Sequence, residues 1–264
     1  MSLKALNRWM RVVLPLAVLF YLVPWLTLFF VLCGVLDLAR HKRFDAGLVS
    51  KYFAGNGLLT WLLSPINLFF DLISKRRPYV LRLEDFDAPA REEITALLMA
   101  FDEKKDAILA DIKRRMGNQK RGMLFYKWYD QNIDTTQPLF NKSWTYIKTI
   151  GVSVFNSREK TSLHFGPLRL TVRLLYNLTP QQSDNIFIEV NGRKHFWQDD
   201  PLLIFDDTIQ HRSVNDEDGY RAVVFVDVLR PSRFTALQNV IVTWFNIVFK
   251  PINRLFYKNW GMLA

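Results

Sequence analysis

The sequence predicts a mainly β domain, a sandwich, barrel or jelly roll, set between helical segments that meet a membrane. Three observations predict it. From Met123 onward the chain falls into short runs rich in β-branched and aromatic residues, separated by turn signals. Ahead of them, Val13 to Leu36 is 24 residues without a charge, and about 20 apolar residues cross the hydrocarbon core of a bilayer as a helix. Leu58 to Ile73 and Val240 to Phe256 then mix apolar and aromatic residues with a few charges, a composition suited to the headgroup boundary.

Taken in order, the first element is a transmembrane segment. Pro15 and Pro24 are tolerable in it, and Pro24 also allows a kink or a shallow hairpin. The run is too long for a signal peptide, and no small-residue cleavage site follows. Lys4, Arg8 and Arg11 precede it, while Arg40, Lys42, Arg43, Lys51 and Lys75-Arg76-Arg77 follow. Positive-inside counting favours the large C-terminal part on the cytoplasmic side. Leu58 to Ile73 is too short to span and contains Asp71. Asp87 and Pro89 start a helix that Gly117 ends, with Ile94, Leu97, Leu98, Phe101, Ile108, Leu109 and Ile112 at helical spacing between. The expected strands are Gly151–Phe155, Leu168–Tyr176, Asn185–Val190, Lys194–Trp197, Pro201–Phe205 and Tyr220–Leu229. Asn191-Gly192 marks a hairpin. Three units result: an N-terminal anchor and interfacial segment (1–77), the β domain with its preceding helix (78–233), and a C-terminal interfacial amphipathic segment (234–264).

Composition narrows the function. The chain of 264 residues carries 35 Lys+Arg against 25 Asp+Glu, a formal charge of +10. The basic residues are scattered rather than interleaved with aromatics along one face, which argues against nucleic acid and suits anionic lipid. No Gly-rich phosphate loop or βαβ alternation is present. Cys33 is the one cysteine, so no disulfide framework exists. Only His41, His164, His195 and His211 can supply a histidine site.

His164 stands just before an expected strand, and His211 follows 47 residues later after "LLIFDDTIQ". Histidines at strand ends, far apart in sequence, are how a jelly roll assembles a metal site. Alternation puts Arg169, Thr171 and Arg173 on one strand face and Leu168, Leu170, Val172 and Leu174 on the other. Arginines inside a small barrel are costly unless an anion meets them. Arg221 heads "RAVVFVDVL", whose faces are otherwise apolar apart from Asp227, so both charges are expected to be paired or occupied. An arginine grips a carboxylate through two parallel hydrogen bonds. The set suggests iron with a dicarboxylate cosubstrate.

At these residues the chain resembles the aspartyl/asparaginyl β-hydroxylase family of Fe(II)- and 2-oxoglutarate-dependent oxygenases, which includes lipid A 2-hydroxylases and ornithine-lipid hydroxylases. The matching pieces are "FYKWYD", "GVSVF", "HFGP…VRLLYNL", "NGRKHFW", "IFDDTIQH" and "RAVVFVDVLRP". The resemblance implies a double-stranded β-helix (jelly roll), iron on His164 and His211, and 2-oxoglutarate anchored by Arg221 and Ser153. It implies O2 as co-reactant and Arg173 facing cosubstrate or substrate, with Trp197 and Asp207 near the site. Two departures matter. Gly166 stands where His-x-Asp would put a carboxylate, as in the protein-directed hydroxylases, so water held by Asp206 or Asp207 is expected there. Leu175 replaces a histidine, which suggests an apolar neighbour. The implied protein is a hydroxylase of the inner (cytoplasmic) membrane, catalytic domain toward the cytoplasm, acting on the acyl chain of a membrane lipid. Lipid A comes first. The alternatives are an ornithine-lipid or other amino-lipid hydroxylase, a protein Asp/Asn hydroxylase, or a non-catalytic membrane protein on the same fold.

Overall fold

Pro24 decides the shape of the N-terminal region. The computed structural model describes residues 10, 13–14, 17–42, 44–55, 59–75, 78–249 and 260–263. Helical backbone over 17–22 stops at a bend at Val23 (φ −140°, ψ 66°), and α1 (Pro24–Leu38, 15 residues) begins anew. Proline lacks an N–H and pushes the residue before it out of the helical region. The apolar run over 13–36 is thus interrupted at Val23, as the expected kink at Pro24 requires; among the described residues no helix is long and apolar enough to cross a membrane, and residues 15 and 16 of that run lie outside them. Trp25, Leu26, Phe29, Leu32 and Leu36 of α1 are exposed. After single turns at Ala46–Ser50 and Leu59–Leu62 comes α2 (Ser64–Ile73). It buries Asn67, Phe70 and Asp71 and leaves Leu62 (just before it), Ile66, Phe69 and Leu72 outward at helical spacing.

The second half forms two sheets. Strand β1 (Val80–Leu81) leads to α3 (Ala88–Met116), which has Asp87 at its N-cap, Pro89 in its first turn and Gly117 (φ 50°) ending it. Then follow β2 (Arg121–Trp128), β3 (Gln131–Asn132), β4 (Ile147–Phe155), β5 (Glu159–Lys160), β6 (Thr171–Asn177), β7 (Ile186–Val190), β8 (Arg193–Phe196), β9 (Leu202–Phe205), β10 (His211–Asn215) and β11 (Arg221–Leu229). The large sheet runs β1-β9-β6-β11-β4-β2-β12, where β12 is Gly261–Met262; the small one runs β5-β10-β7-β8. From β4 to β11 the chain steps back and forth between the sheets, the winding of a double-stranded β-helix. Asn191 and Gly192 both have positive φ (52° and 76°), as the tight turn between β7 and β8 requires.

Alternation sets the two cores. The outer face of the large sheet (Val152, Val154, Leu174, Val224, Val226) packs on Ile94, Leu97, Phe101, Ile108 and Ile112 of α3. Its inner face (Met123, Phe125, Leu175, Val223, Phe225) meets Ile186, Ile188 and Val190 of the small sheet. Each such side chain, fully buried, is worth about 1.5–3 kcal/mol. The last helix, α4 (Thr235–Phe249), returns to pack beside α2: Phe70, Leu168, Leu170, Leu229 and Val242 form one cluster. Its outer stripe is Leu237, Val240, Trp244 and Ile247. The rest of the expected C-terminal stretch, 250–256, lies outside the described residues.

Candidate functional site between the sheets

The site starts from the inner face of the large sheet. Cross-strand partners share a face, so the pairs Ser153↔Val223, Phe155↔Arg221, Leu175↔Phe225 and Arg173↔Asp227 all look the same way. Polar residues therefore stand at both ends of the inner face, with an apolar floor of Val223, Phe225 and Leu175 between them.

His164 and His211 meet across the opening. Each backbone N–H donates to the other's carbonyl at 2.9 Å, and the rings lie 4.2 Å apart between centroids. His164 Nδ1 is 2.8 Å from the carbonyl of Ser162, and His211 Nδ1 is 2.9 Å from that of Ile209. A carbonyl only accepts, so both protons sit on Nδ1 and both Nε2 lone pairs are free. Burial lowers the pKa of each imidazole, that of His211 well below the usual range, with the neighbouring His164 adding to the effect. Neutral imidazoles with a carbonyl fixing the far nitrogen are what a divalent transition metal binds.

The glycine at 166 has a steric reason. A Cβ there would fall on the carboxyl group of Asp207. The Asp207 carbonyl also accepts the Gly166 N–H at 2.7 Å. Asp207 thus brings its carboxyl group into the space a His-x-Asp side chain would use. Burial pushes it up to about 7, against the pull of Arg173, with Asp227 and Asp206 adding to the rise. Arg173 Nη2 lies 3.0 Å from Asp207 and 2.9 Å from Asp227. Asp206 is otherwise committed. It meets Arg40 at 2.6 Å, Arg230 at 2.7 Å and Arg169 at 3.5 Å. Burial would raise its pKa, but Arg230, Arg40 and Arg169 outweigh that and hold it well below the usual range. Of the two adjacent aspartates, only Asp207 faces the Gly166 position.

Arg221 is 1% exposed. Its guanidinium lies over the Phe155 ring (4.5 Å) and beside Trp197 (5.9 Å). Nη1 donates to the carbonyl of Val214 at 3.1 Å, Nη2 to Ser213 Oγ at 2.6 Å, and Nε has no partner. Among the described residues, no carboxylate forms an ion pair with it. Burial alone brings its pKa down to about 9. Ser153 Oγ, on the neighbouring strand β4, donates to the Val223 carbonyl at 3.3 Å. Ser213 lies two residues beyond His211 on β10, on the same face, so Arg221 reaches a point about 7 Å along the strand from His211.

One part of the site was not expected from sequence. The end of α1 reaches the loop between β9 and β10. Arg40 pairs with Asp206, and His41 Nε2 accepts the Gln210 N–H at 3.2 Å while its Nδ1 donates to the Leu38 carbonyl at 3.1 Å. The His41 ring also stands edge-on to Phe165, 5.5 Å between centroids. His41 thereby touches the neighbours of both site histidines. Asp37 on α1 and Asp71 on α2 both pair with Arg169. The available signal was a carboxylate at the end of one apolar run and another inside a second. The fourth histidine, His195, lies elsewhere, its Nε2 donating to the Asp200 carbonyl at 2.9 Å.

Among the described residues no group of three or more His, Cys, Asp or Glu is placed to hold a metal. The two histidines fit a metal that receives its remaining donors from a ligand, and the buried, unpaired Arg221 fits an anionic end on that ligand. Fold and site together define a double-stranded β-helix with a paired-histidine pocket between its sheets. Within that class, the chain belongs to the aspartyl/asparaginyl beta-hydroxylase family, whose model matches residues 93–231. It is 33% identical over 103 residues to the ornithine lipid ester-linked acyl 2-hydroxylase of Rhizobium tropici. That match covers 36% of this chain and spans 37% of the relative's length. Among solved structures, a viral collagen prolyl hydroxylase of Paramecium Bursaria Chlorella virus-1 shares 10% identity over 48% of this chain and 90% of its own, at a TM-score of 0.34. A prolyl hydroxylase of Trichoplax adhaerens shares 18% over 40% and 52%, at 0.28. At those TM-scores neither structure bears on the assignment.

Proposed function

We propose that this protein is a membrane-associated, Fe(II)- and 2-oxoglutarate-dependent hydroxylase of a fatty acyl chain of a membrane lipid. One observation carries the reading. Arg221 is a buried cation without a counter-ion among the described residues, and it lies one short diacid's length from a pair of neutral histidines. His164 and His211 would hold iron, and Arg221 with Ser153 the distal carboxylate of 2-oxoglutarate. When bound, iron and 2-oxoglutarate supply the oxidising chemistry that puts one atom of O2 into a C–H bond and leaves succinate and CO2.

The chain's own residues do the rest. The Ser162 and Ile209 carbonyls keep both imidazoles in the metal-binding tautomer. Asp207, held by Arg173, sets a carboxyl group beside the position Gly166 leaves open and would hold a water there. Leu175, Val223 and Phe225 keep the floor dry. The apolar stripes of α1, α2 and α4, with Trp25 at 83% and Trp244 at 65% exposure, support attachment to a bilayer. The positive charges flanking these stretches in the sequence support a cytoplasm-facing domain and an anionic surface.

For the lipid, similarity to an ornithine-lipid acyl 2-hydroxylase favours an amino lipid, with C2 as the hydroxylated carbon, over the lipid A that sequence motifs put first. Lipid mass spectrometry of cells with and without the protein tests it under 18O2. One lipid class should gain a single heavy oxygen on its acyl chain, and the gain should vanish with His211→Ala. Labelled peptides with unlabelled lipids would replace this reading by the protein-directed one. No label in either, together with no succinate formed from 2-oxoglutarate, would overturn the enzyme.

A further inference from the structure

A cavity of about 70 Å3 lies against Arg173 and its two aspartates. It is lined by Arg173, Asp207 and Asp227 and by the apolar Leu63, Leu168 and Phe245. Leu63 immediately precedes α2 and Phe245 lies on α4, the two helices whose outer stripes are apolar. The cavity thus has residues of the candidate site and residues of both helices in its walls.

Both helices are fastened to the cavity wall by polar contacts. Asn67 of α2 donates to the Pro167 carbonyl at 3.1 Å and accepts the Arg169 N–H at 2.8 Å, holding the segment that follows Gly166. Asn246 of α4 donates to the carbonyl of Tyr129, another wall residue. Ser232 Oγ, just before α4, donates to the Ile73 carbonyl at the end of α2 (3.0 Å). The apolar walls Leu63, Leu168 and Phe245 offer a headgroup no hydrogen-bond partners. They suit a single polymethylene chain, which needs no hydrogen bonds along its length.

We infer that the seam between α2 and α4 is a conduit for the acyl tail of a lipid that stays in the bilayer, the carbonyl end lying at Arg173 and the tail running out past Leu63 and Phe245. The occupant is a bilayer lipid because the helices that supply Leu63 and Phe245 to the cavity expose apolar stripes, Leu62, Ile66, Phe69 and Leu72 on one side and Val240, Trp244 and Ile247 on the other. A basic run, Lys75-Arg76-Arg77, follows the first helix, and Arg233 precedes the second. This inference deepens the lipid reading above and rests on it for the identity of the reacting end. A conduit open to the bilayer does not measure chain length, so lipids with short and long saturated tails are expected to react at rates within about threefold of one another, far less than a closed apolar pocket discriminates per methylene.

Photocrosslinking tests occupancy without chemistry. A diazirine amino acid is placed singly at positions 63, 245, 72 and 99 of the full chain. Each protein is irradiated in vesicles of phosphatidylethanolamine and phosphatidylglycerol, without iron or 2-oxoglutarate. Lipid adducts are expected from 63, 245 and 72 and not from Met99, which lies on exposed α3. Leu63→Trp should abolish the adduct at 245 with the melting temperature unchanged. Adducts confined to 72 would show a membrane surface without a conduit and overturn the inference, as would no adducts at all. The hydroxylase reading is scored separately: adducts at 63 in a protein that binds neither Mn(II) nor 2-oxoglutarate would sink that reading and leave the conduit standing.

Discussion

Arg169 and Arg221 are both 1% exposed or less, yet their surroundings are opposite. Arg169 reaches Asp37, Asp71 and Asp206, and together with Arg40 and Arg230 it makes a closed cluster of three cations and three anions. Burial would lower its pKa, but Asp37, Asp206 and Asp71 outweigh burial and raise it. Arg221 has no carboxylate partner among the described residues, and burial lowers its pKa to about 9. A buried cation that is neutralised from within is part of the framework. One that is left open marks where a ligand's charge belongs.

The largest effect should follow from breaking the closed cluster. Arg169→Leu leaves Asp37 and Asp71 buried beside an apolar chain, and removing one partner of a buried pair costs about 3–5 kcal/mol. Thermal melting in detergent should show that loss, together with detachment of 17–73 from the domain as increased proteolysis there. An unchanged melting temperature would mean that the N-terminal region and the sheets are not one unit. The same cluster sets acid stability. The folded-state pKa of Asp206 lies below the ordinary value of about 3.9. Its contribution is therefore fully present above that value and is lost as pH falls through the folded one. Asp206→Asn should flatten the acid limb of the stability–pH curve.

Arg221→Met should behave in the opposite way. It removes an unpaired buried charge, so the fold should keep or gain stability. The rise in melting temperature on adding 2-oxoglutarate with Mn(II) should shrink by roughly 1.5–3 kcal/mol of binding, the worth of hydrogen bonds to a charged group. A variant that unfolds, or that keeps full 2-oxoglutarate stabilisation, would erase the contrast between the two arginines.

The two differ in legibility for the same reason. Alternation along a strand tells which residues share a face, so the common face of Thr171 and Arg173 within one strand could be anticipated. It does not tell what stands opposite. Arg173 and Asp227 are 54 residues apart and paired in register, and Arg169 meets Asp71 and Asp37 across 98 and 132 residues. The β-rich architecture and the α3 boundaries were readable because short-range patterns and caps fix them. The pairing of Asp227 with Arg173 rather than Arg221 was not, because register decides it. Pro24 was readable as a kink, but that it divides the apolar run at Val23 is settled by the backbone.

Gly166 sharpens the comparison at the site itself. Gly166→Ala puts a methyl group onto the Asp207 carboxyl, an overpacking expected to cost about 1–3 kcal/mol. Asp207→Ala should relieve most of it, so the double mutant should be more stable than the sum of the singles by a measurable coupling term. Additive losses would show that the carboxyl group does not occupy that space. Exchanging the pair, Gly166→Asp with Asp207→Gly, tests whether the carboxyl group belongs to the place rather than to the residue: Mn(II) binding should survive the exchange and fall in either single variant.

The smallest effect belongs to His41, which links framework to site through one hydrogen bond. Its Nε2 takes the N–H of Gln210, the residue before His211, while its ring rests on Phe165, the residue after His164. His41→Ala removes an acceptor worth about 1 kcal/mol and loosens both neighbours at once. Mn(II) affinity should fall roughly fivefold, which is the same quantity expressed as a binding ratio. His41→Gln can still accept at the Nε2 position and should restore most of the affinity, while His41→Leu keeps the packing and should not. If leucine restores affinity and glutamine does not, the contact with Phe165 is what matters, and α1 supports the site by bulk rather than by orienting the loop that carries His211.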